Sequence, residues 1–161
     1  MRLVVGGVSK TQPLSIERDP RATNISQADL EAQFKLAMQA RDKTSEANEM
    51  VIRIREIKKS VGEKVKASPS LQAAGERLTT HLSAVEEDLY QVRNRSNQDP
   101  LNFPIKLNNQ LAALMRVIGT GDGRPTDQSF VVFQELSGRL DAIRQRMDQI
   151  LRDEMGAFGR E

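Results

Sequence analysis

Leu71-Gln72-Ala73-Ala74-Gly75-Glu76-Arg77-Leu78-Thr79-Thr80-His81-Leu82-Ser83-Ala84-Val85-Glu86-Glu87-Asp88-Leu89-Tyr90-Gln91-Val92 is the most regularly patterned stretch of the chain. Leu71, Ala74, Leu78, Leu82, Val85, Leu89 and Val92 recur every three or four residues without a break. On an α-helix that spacing forms one apolar stripe, and a stripe of this length has to be covered by other helices. The stretch therefore predicts an all-α bundle, with this helix running to about Arg95. His81, the single histidine, lies at the edge of the stripe, where a boundary residue is the plain reading and a base or ligand the sharper one. Glu86, Glu87 and Asp88 are consecutive, so on a helix they fan out and cannot form a paired-carboxylate acid/base site. They read as a solvated face.

The neighbouring segments carry matching patterns. Upstream, Ser68-Pro69 is a stop and a start in one, with Ser as N-cap and Pro at the first helical position. Before it, Ser26 with Asp29 forms a capping box and Ile25 with Leu30 a hydrophobic staple, so a first helix is expected from there to about Lys66. One of its stripes is Leu36, Ala40, Ala47, Met50, Ile54, Ile57 and Val61, interrupted by Lys43; a looser one is Leu30, Phe34, Ala37, Thr44 and Val51. Two stripes imply two neighbours. The stretch from Arg41 to Glu46 is polar nearly all round; its side chains could make buried bonds to another helix, and the plainer expectation is that they face water or a small cap. Arg53, Arg55, Lys58 and Lys59 are the densest positive cluster, with Glu56 inside it; a solvated face is the plain reading.

Downstream, residues 94–104 are rich in Asn, Asp and Pro, which build turns. A short third helix follows Pro104, with Leu107, Leu111, Leu114 and Ile118 as its stripe. Gly119 to Pro125 reads as a plain connection rather than a phosphate or calcium loop. Thr126 caps a fourth helix striped by Phe130, Phe133, Leu136, Leu140, Ile143, Met147, Ile150 and Leu151. The tail from Gly156 to Glu161 is expected to fray. Short connections favour antiparallel neighbours, so the expected fold is an antiparallel four-helix up-down-up-down bundle over residues 24–157, third helix short.

Residues 1–20 read differently. Gly6-Gly7 between Arg2-Leu3-Val4-Val5 and Val8-Ser9-Lys10-Thr11 is a hairpin signal, because both turn residues can take positive φ. Pro13 should interrupt the second strand, with Leu14-Ser15-Ile16 resuming the alternation. A lone two-stranded hairpin is marginal in water. It must pack on the helices, pair with another copy, or be the remnant of an upstream β-sandwich; the last is the favoured expectation. Its open edge makes strand-mediated dimerisation a concrete expectation, with Val4 and Val8 as the residues to replace by Lys.

Composition narrows the function. The 161 residues include 24 Lys and Arg against 22 Asp and Glu, so the charge is nearly balanced and no basic, aromatic-interleaved nucleic-acid surface is present. There is no Cys, which removes disulfides, thiolate metal sites and a Cys nucleophile. No run approaches a membrane span, and the N-terminus turns polar too quickly for a signal peptide. No Ser/His/Asp constellation, Glu-x-x-His pair, His-Glu-x-x-His motif or glycine-rich phosphate loop is found, so neither a catalytic residue nor a cofactor or metal is assigned.

Several segments occur in a familiar order: Thr11-Gln12-Pro13-Leu14, Asp19-Pro20-Arg21, Asp29-Leu30 with Gln33-Phe34, and Leu89-Tyr90-Gln91 to Ser96. Asp99-Pro100-Leu101-Asn102-Phe103-Pro104-Ile105-Lys106-Leu107-Asn108-Asn109, the most specific, and Pro125-Thr126-Asp127-Gln128-Ser129 complete the series. Together they resemble the C-terminal helical tail of bacterial sortilin-type or sialidase-like Asp-box (BNR) β-propeller proteins, often labelled glycosyl hydrolases. The resemblance implies a small β-sandwich before residue 2, whose last strands are the hairpin, and an extracytoplasmic setting. The Asp-box pattern itself is absent, so any hydrolase activity would belong to propeller domains outside this chain. The expected function is a non-catalytic helical interaction or oligomerisation module. Its expected contacts are the hairpin edge (Val4, Val8) and the second stripe of the first helix (Leu30, Phe34). The rival expectation is a free-standing cytoplasmic helical adaptor. It would bind a partner helix or an acidic surface through Arg53, Arg55, Lys58 and Lys59.

Overall fold

The structure, a computed structural model, describes residues 1–158. Among them are a hairpin of β1 (Arg2–Val5) and β2 (Val8–Thr11) and four principal helices: α1 (Gln27–Ala67), α2 (Gln72–Leu89), α3 (Leu107–Ile118) and α4 (Asp127–Ile150). A π-helical turn (Leu151–Met155) and a last helical turn (Gly156–Phe158) continue α4. The chain is thus an all-α bundle with an N-terminal β-hairpin, as its patterns require.

Helix α1 starts where its capping box predicts. The Ser26 side chain accepts from the Asp29 amide, and the Asp29 carboxylate accepts from the Ser26 amide at 3.0 Å. At 41 residues it is the spine of the molecule, roughly 60 Å long at 1.5 Å per residue. Its first stripe is the core face, with Leu36, Ala40, Ala47, Met50, Ile54 and Val61 all buried. They meet Leu78, Leu82 and Leu89 of α2, Leu107 and Leu111 of α3, and Leu140 and Met147 of α4 in one aliphatic cluster.

Side-chain pairs fix the helix directions. Arg55 and Lys58 of α1 reach Glu86 of α2, while Val61 and Val65 lie against Gly75, so α2 runs antiparallel to the second half of α1. Gln33 reaches the Ile118 carbonyl and Asn48 reaches Asn108, so α3 runs antiparallel to the first half. Lys43 pairs with Asp141 and Glu46 with Arg144, so α4 runs parallel to α1. The order of directions is therefore up, down, down, up, where strict alternation was expected. α2 and α3 follow one another along α1 as two parts of a single descending leg. The physical reason lies at their junction. Tyr90 leaves the helix with φ −136° and ψ 143°, and the buried Gln91 side chain donates to the Pro104 carbonyl at 2.9 Å. Residues 92–103 leave and return at one point, so the chain resumes in the direction it had.

That junction also ends α2 at Leu89, earlier than Arg95, and leaves Val92 41% exposed at what would have been the last position of the stripe. The extruded segment is closed by Asp99, which accepts from the Ser96 amide at 2.8 Å, the Ser96 hydroxyl at 2.8 Å and the Arg95 amide. These bonds hold the Asp99 carboxyl below the usual carboxylate range. Arg93 lies over the Phe103 ring, 5.8 Å from its centre.

Two further expectations change. Ser68 ends α1, but a 3₁₀ turn, Pro69–Leu71, separates it from α2. The tail does not fray through Phe158: this ring is buried, within 3.5 Å of where a Cβ on Gly75 would stand, and Lys64 lies over it. Residues 159–161 of the expected fray lie outside the described residues.

The hairpin stands clear of the bundle, with every residue of both strands exposed. Packing on the helices, one of its three expected fates, is therefore not what it does. Gly6 and Gly7 take φ 56° and 81°, the pair of positive values a tight two-residue turn needs. Beyond the strands, Met1 and Gln12 still exchange both main-chain bonds, at 2.7 and 3.0 Å. Pro13 has no amide to offer, and pairing stops there; Leu14 to Ile16 form no strand.

Candidate interaction surfaces

The register of the hairpin sorts its side chains. Val5 faces Val8, Val4 faces Ser9, Leu3 faces Lys10 and Arg2 faces Thr11. Paired residues share a face and successive residues alternate. Leu3, Val5, Val8 and Lys10 thus lie on one face with Met1 and Gln12; Arg2, Val4, Ser9 and Thr11 lie on the other, where the Arg2 guanidinium donates to the Ser9 hydroxyl at 2.8 Å. The first face is apolar apart from Lys10 and Gln12, and nothing among the described residues covers it: Leu3, Val5 and Val8 are 60%, 67% and 64% exposed. The two expected contact residues, Val4 and Val8, sit on opposite faces; the residues that accompany Val8 are Leu3 and Val5. Alternation read strictly from Gly6-Gly7 outward carries that signal.

The edges follow from the same register. Bonded and non-bonded pairs alternate in an antiparallel ladder. Met1 with Gln12 is a bonded pair, so Leu3 with Lys10 and Val5 with Val8 are bonded too. The amides and carbonyls of Arg2 and Val4 point away from β2, and those of Ser9 and Thr11 point away from β1. Both edges are open among the described residues.

The positive cluster on α1 is divided. Arg55 (Nε to Oε1, 2.7 Å) and Lys58 (Nζ to Oε2, 3.1 Å) both hold Glu86, which is only 5% exposed and so belongs to the α1–α2 seam, not to a solvated face. Burial pushes the Glu86 carboxyl up, and the two bonds with their positive charges more than offset it, so it titrates below the ordinary Glu value. The Arg55 guanidinium also lies 5.0 Å from the centre of the Tyr90 ring. Arg53 and Lys59 remain exposed. Asp88 is bound by Arg146 at 2.5 Å, which ties α2 to α4.

On the second stripe of α1, Val51 is buried, Leu30 half-buried and Phe34 67% exposed. Within the polar stretch Arg41, Asp42 and Ser45 face water as expected, whereas Lys43 and Glu46 take the other course and bridge two helices. Lys43 donates to Glu46 at 2.9 Å and to Asp141 at 3.1 Å, and Arg144 binds Asp141 at 3.2 Å. Burial draws the Lys43 ammonium down, and the two carboxylates outweigh it, leaving its pKa above the ordinary value. The interruption of the first stripe by Lys43 is thus a specific polar contact between α1 and α4.

An open groove of about 530 Å³ runs between α3 and α4, with Ala113, Leu114, Val117, Val132 and Leu136 along it and Ile105 and Arg139 at one end. Its signal in the sequence is faint, since Val117 and Ile105 fall outside the core stripe. His81 bonds to Glu154 at the rim of a smaller hollow bounded by Arg146 and Asp153. Among the described residues no group of three or more His, Cys, Asp and Glu side chains is placed to hold a metal ion. No helix among them is long and apolar enough to cross a membrane.

No family model, no curated protein and no solved structure matches this chain.

Proposed function

We propose that this chain is a non-catalytic helical interaction and oligomerisation module, which joins its partner through the N-terminal hairpin. The supporting observation is a hairpin with one apolar face and two open edges, held clear of a bundle whose own core is closed. Two strands do not bury enough apolar surface to be stable alone, so strands from elsewhere complete the sheet. In the setting that the resemblance suggests, those strands belong to an upstream β-sandwich of a bacterial, extracytoplasmic, propeller-type glycosyl-hydrolase-like protein. Offered by itself, the hairpin takes strands from another chain. The rival reading, an adaptor using Arg53, Arg55, Lys58 and Lys59, loses ground because Glu86 already binds two of the four.

Light scattering of the full chain and of a variant carrying Val5→Lys and Val8→Lys tests the proposal. The parent should associate at low and high salt alike, since apolar and main-chain contacts are little screened. The variant should be a monomer of unchanged helical circular dichroism. A monomeric parent, association that survives in the variant, or association dissolved by salt would each sink the reading.

A further inference from the structure

We infer that the hairpin pairs with a second copy of itself, β1 against β1 of the other chain, about a two-fold axis at Leu3. The inference rests on the hairpin reading above and names its partner. Each edge offers only two residues with free main-chain groups: Arg2 and Val4 on β1, Ser9 and Thr11 on β2. Antiparallel self-pairing through β2 centres on the residue between Ser9 and Thr11 and sets Lys10 directly opposite Lys10 of the second copy. Like charges so placed repel, and a Lys on an edge is a common protection against pairing. Self-pairing through β1 centres on Leu3 and sets leucine opposite leucine. Arg2 of each copy then exchanges main-chain bonds with Val4 of the other, so the two Arg2 residues stand diagonally across the seam, roughly 7–8 Å apart, and not directly opposite as the two Lys10 residues would.

The resulting four strands run β2, β1, β1 and β2 across the sheet. Leu3, Val5 and Val8 of both copies share one face, and the two Lys10 residues mark its outer edges, where water remains within reach. The arrangement closes on itself as an isologous pair. Pairing β1 of one copy with β2 of the next leaves a fresh edge at every step, and such a contact propagates rather than closes.

The geometry gives a direct test, because the chain has no cysteine of its own. In the β1 arrangement residue 3 faces its symmetry mate in a non-bonded pair, with Cα atoms about 4.5 Å apart, close enough for a disulfide. Full-length Leu3→Cys and Lys10→Cys chains are oxidised in a glutathione buffer and run on a non-reducing gel. The Leu3→Cys chain should cross-link to a dimer an order of magnitude faster than the Lys10→Cys chain. A Leu3→Lys chain should be monomeric in light scattering with its helical signal intact. Faster linking at position 10, or equal linking at both, overturns the β1 pairing while leaving the hairpin as the site of association. A dimer that persists in Leu3→Lys overturns it as well. Failure of the broader reading has another signature: association indifferent to Val5→Lys and Val8→Lys.

Discussion

At the scale of single residues, glycines on two helices separate a packing requirement from an unoptimised position. A Cβ on Gly75 would stand 2.6 Å from a methyl of Val65 and 3.2 Å from a methyl of Val61. Both belong to short β-branched side chains with little freedom to move aside. Gly138 lies in α4 with nothing within 4 Å of its added Cβ. Gly138→Ala should therefore stabilise the protein by up to about 1 kcal/mol through helix propensity. Gly75→Ala should destabilise it by about 1–3 kcal/mol, the clash outweighing the same propensity gain. Urea midpoints of the two variants, moving in opposite directions, check both. Glu86 supplies a pH dependence. Its folded pKa lies below its ordinary 4.5, so its contribution is complete above that value and fades as the pH falls through the folded one. Glu86→Gln should cost about 1–2 kcal/mol at neutral pH, moderated because Arg55 stays half in water. The gap from the parent should shrink below pH 4.5 in matched denaturation curves.

At the scale of elements, much was legible. The Ser26–Asp29 box, the Gly6-Gly7 turn, the Thr126 cap and the α1 core stripe are local or periodic signals, and each residue stands where its pattern puts it. The end of α2 was not legible. Val92 continues the stripe in perfect step, and what stops the helix is a contact thirteen residues away, between Gln91 and Pro104. The same limit hid Glu86 and Lys43: each sits in a run of charges that looks solvated, and only the helix across the seam supplies its partners. The hairpin face was within reach, since strict alternation already pairs Val8 with Leu3 and Val5. Gln91→Ala should open the base of the loop, at about 1–2 kcal/mol for the unpaired Pro104 carbonyl. Limited proteolysis should then cut faster between residues 92 and 103, while a loop otherwise held would show parent-like rates.

At the scale of the whole molecule, the broken descending leg gives the domain two unequal halves on shared spines. One half joins α2 to the second part of α1 and the end of α4; the other joins α3 to the first part of α1 and the start of α4. Only α1 and α4 cross between them. Amide exchange under native conditions should divide accordingly. Amides of α2 and of α3 should open with different free energies, each sensitive to substitutions in its own half, whereas those around Ile54 and Leu140 should open only with global unfolding. A single opening energy for α2 and α3 would show that the junction transmits as well as an unbroken helix. Exchange that separates as expected makes the molecule two thermal units within one core, so that one pole can loosen while the other keeps the chain folded.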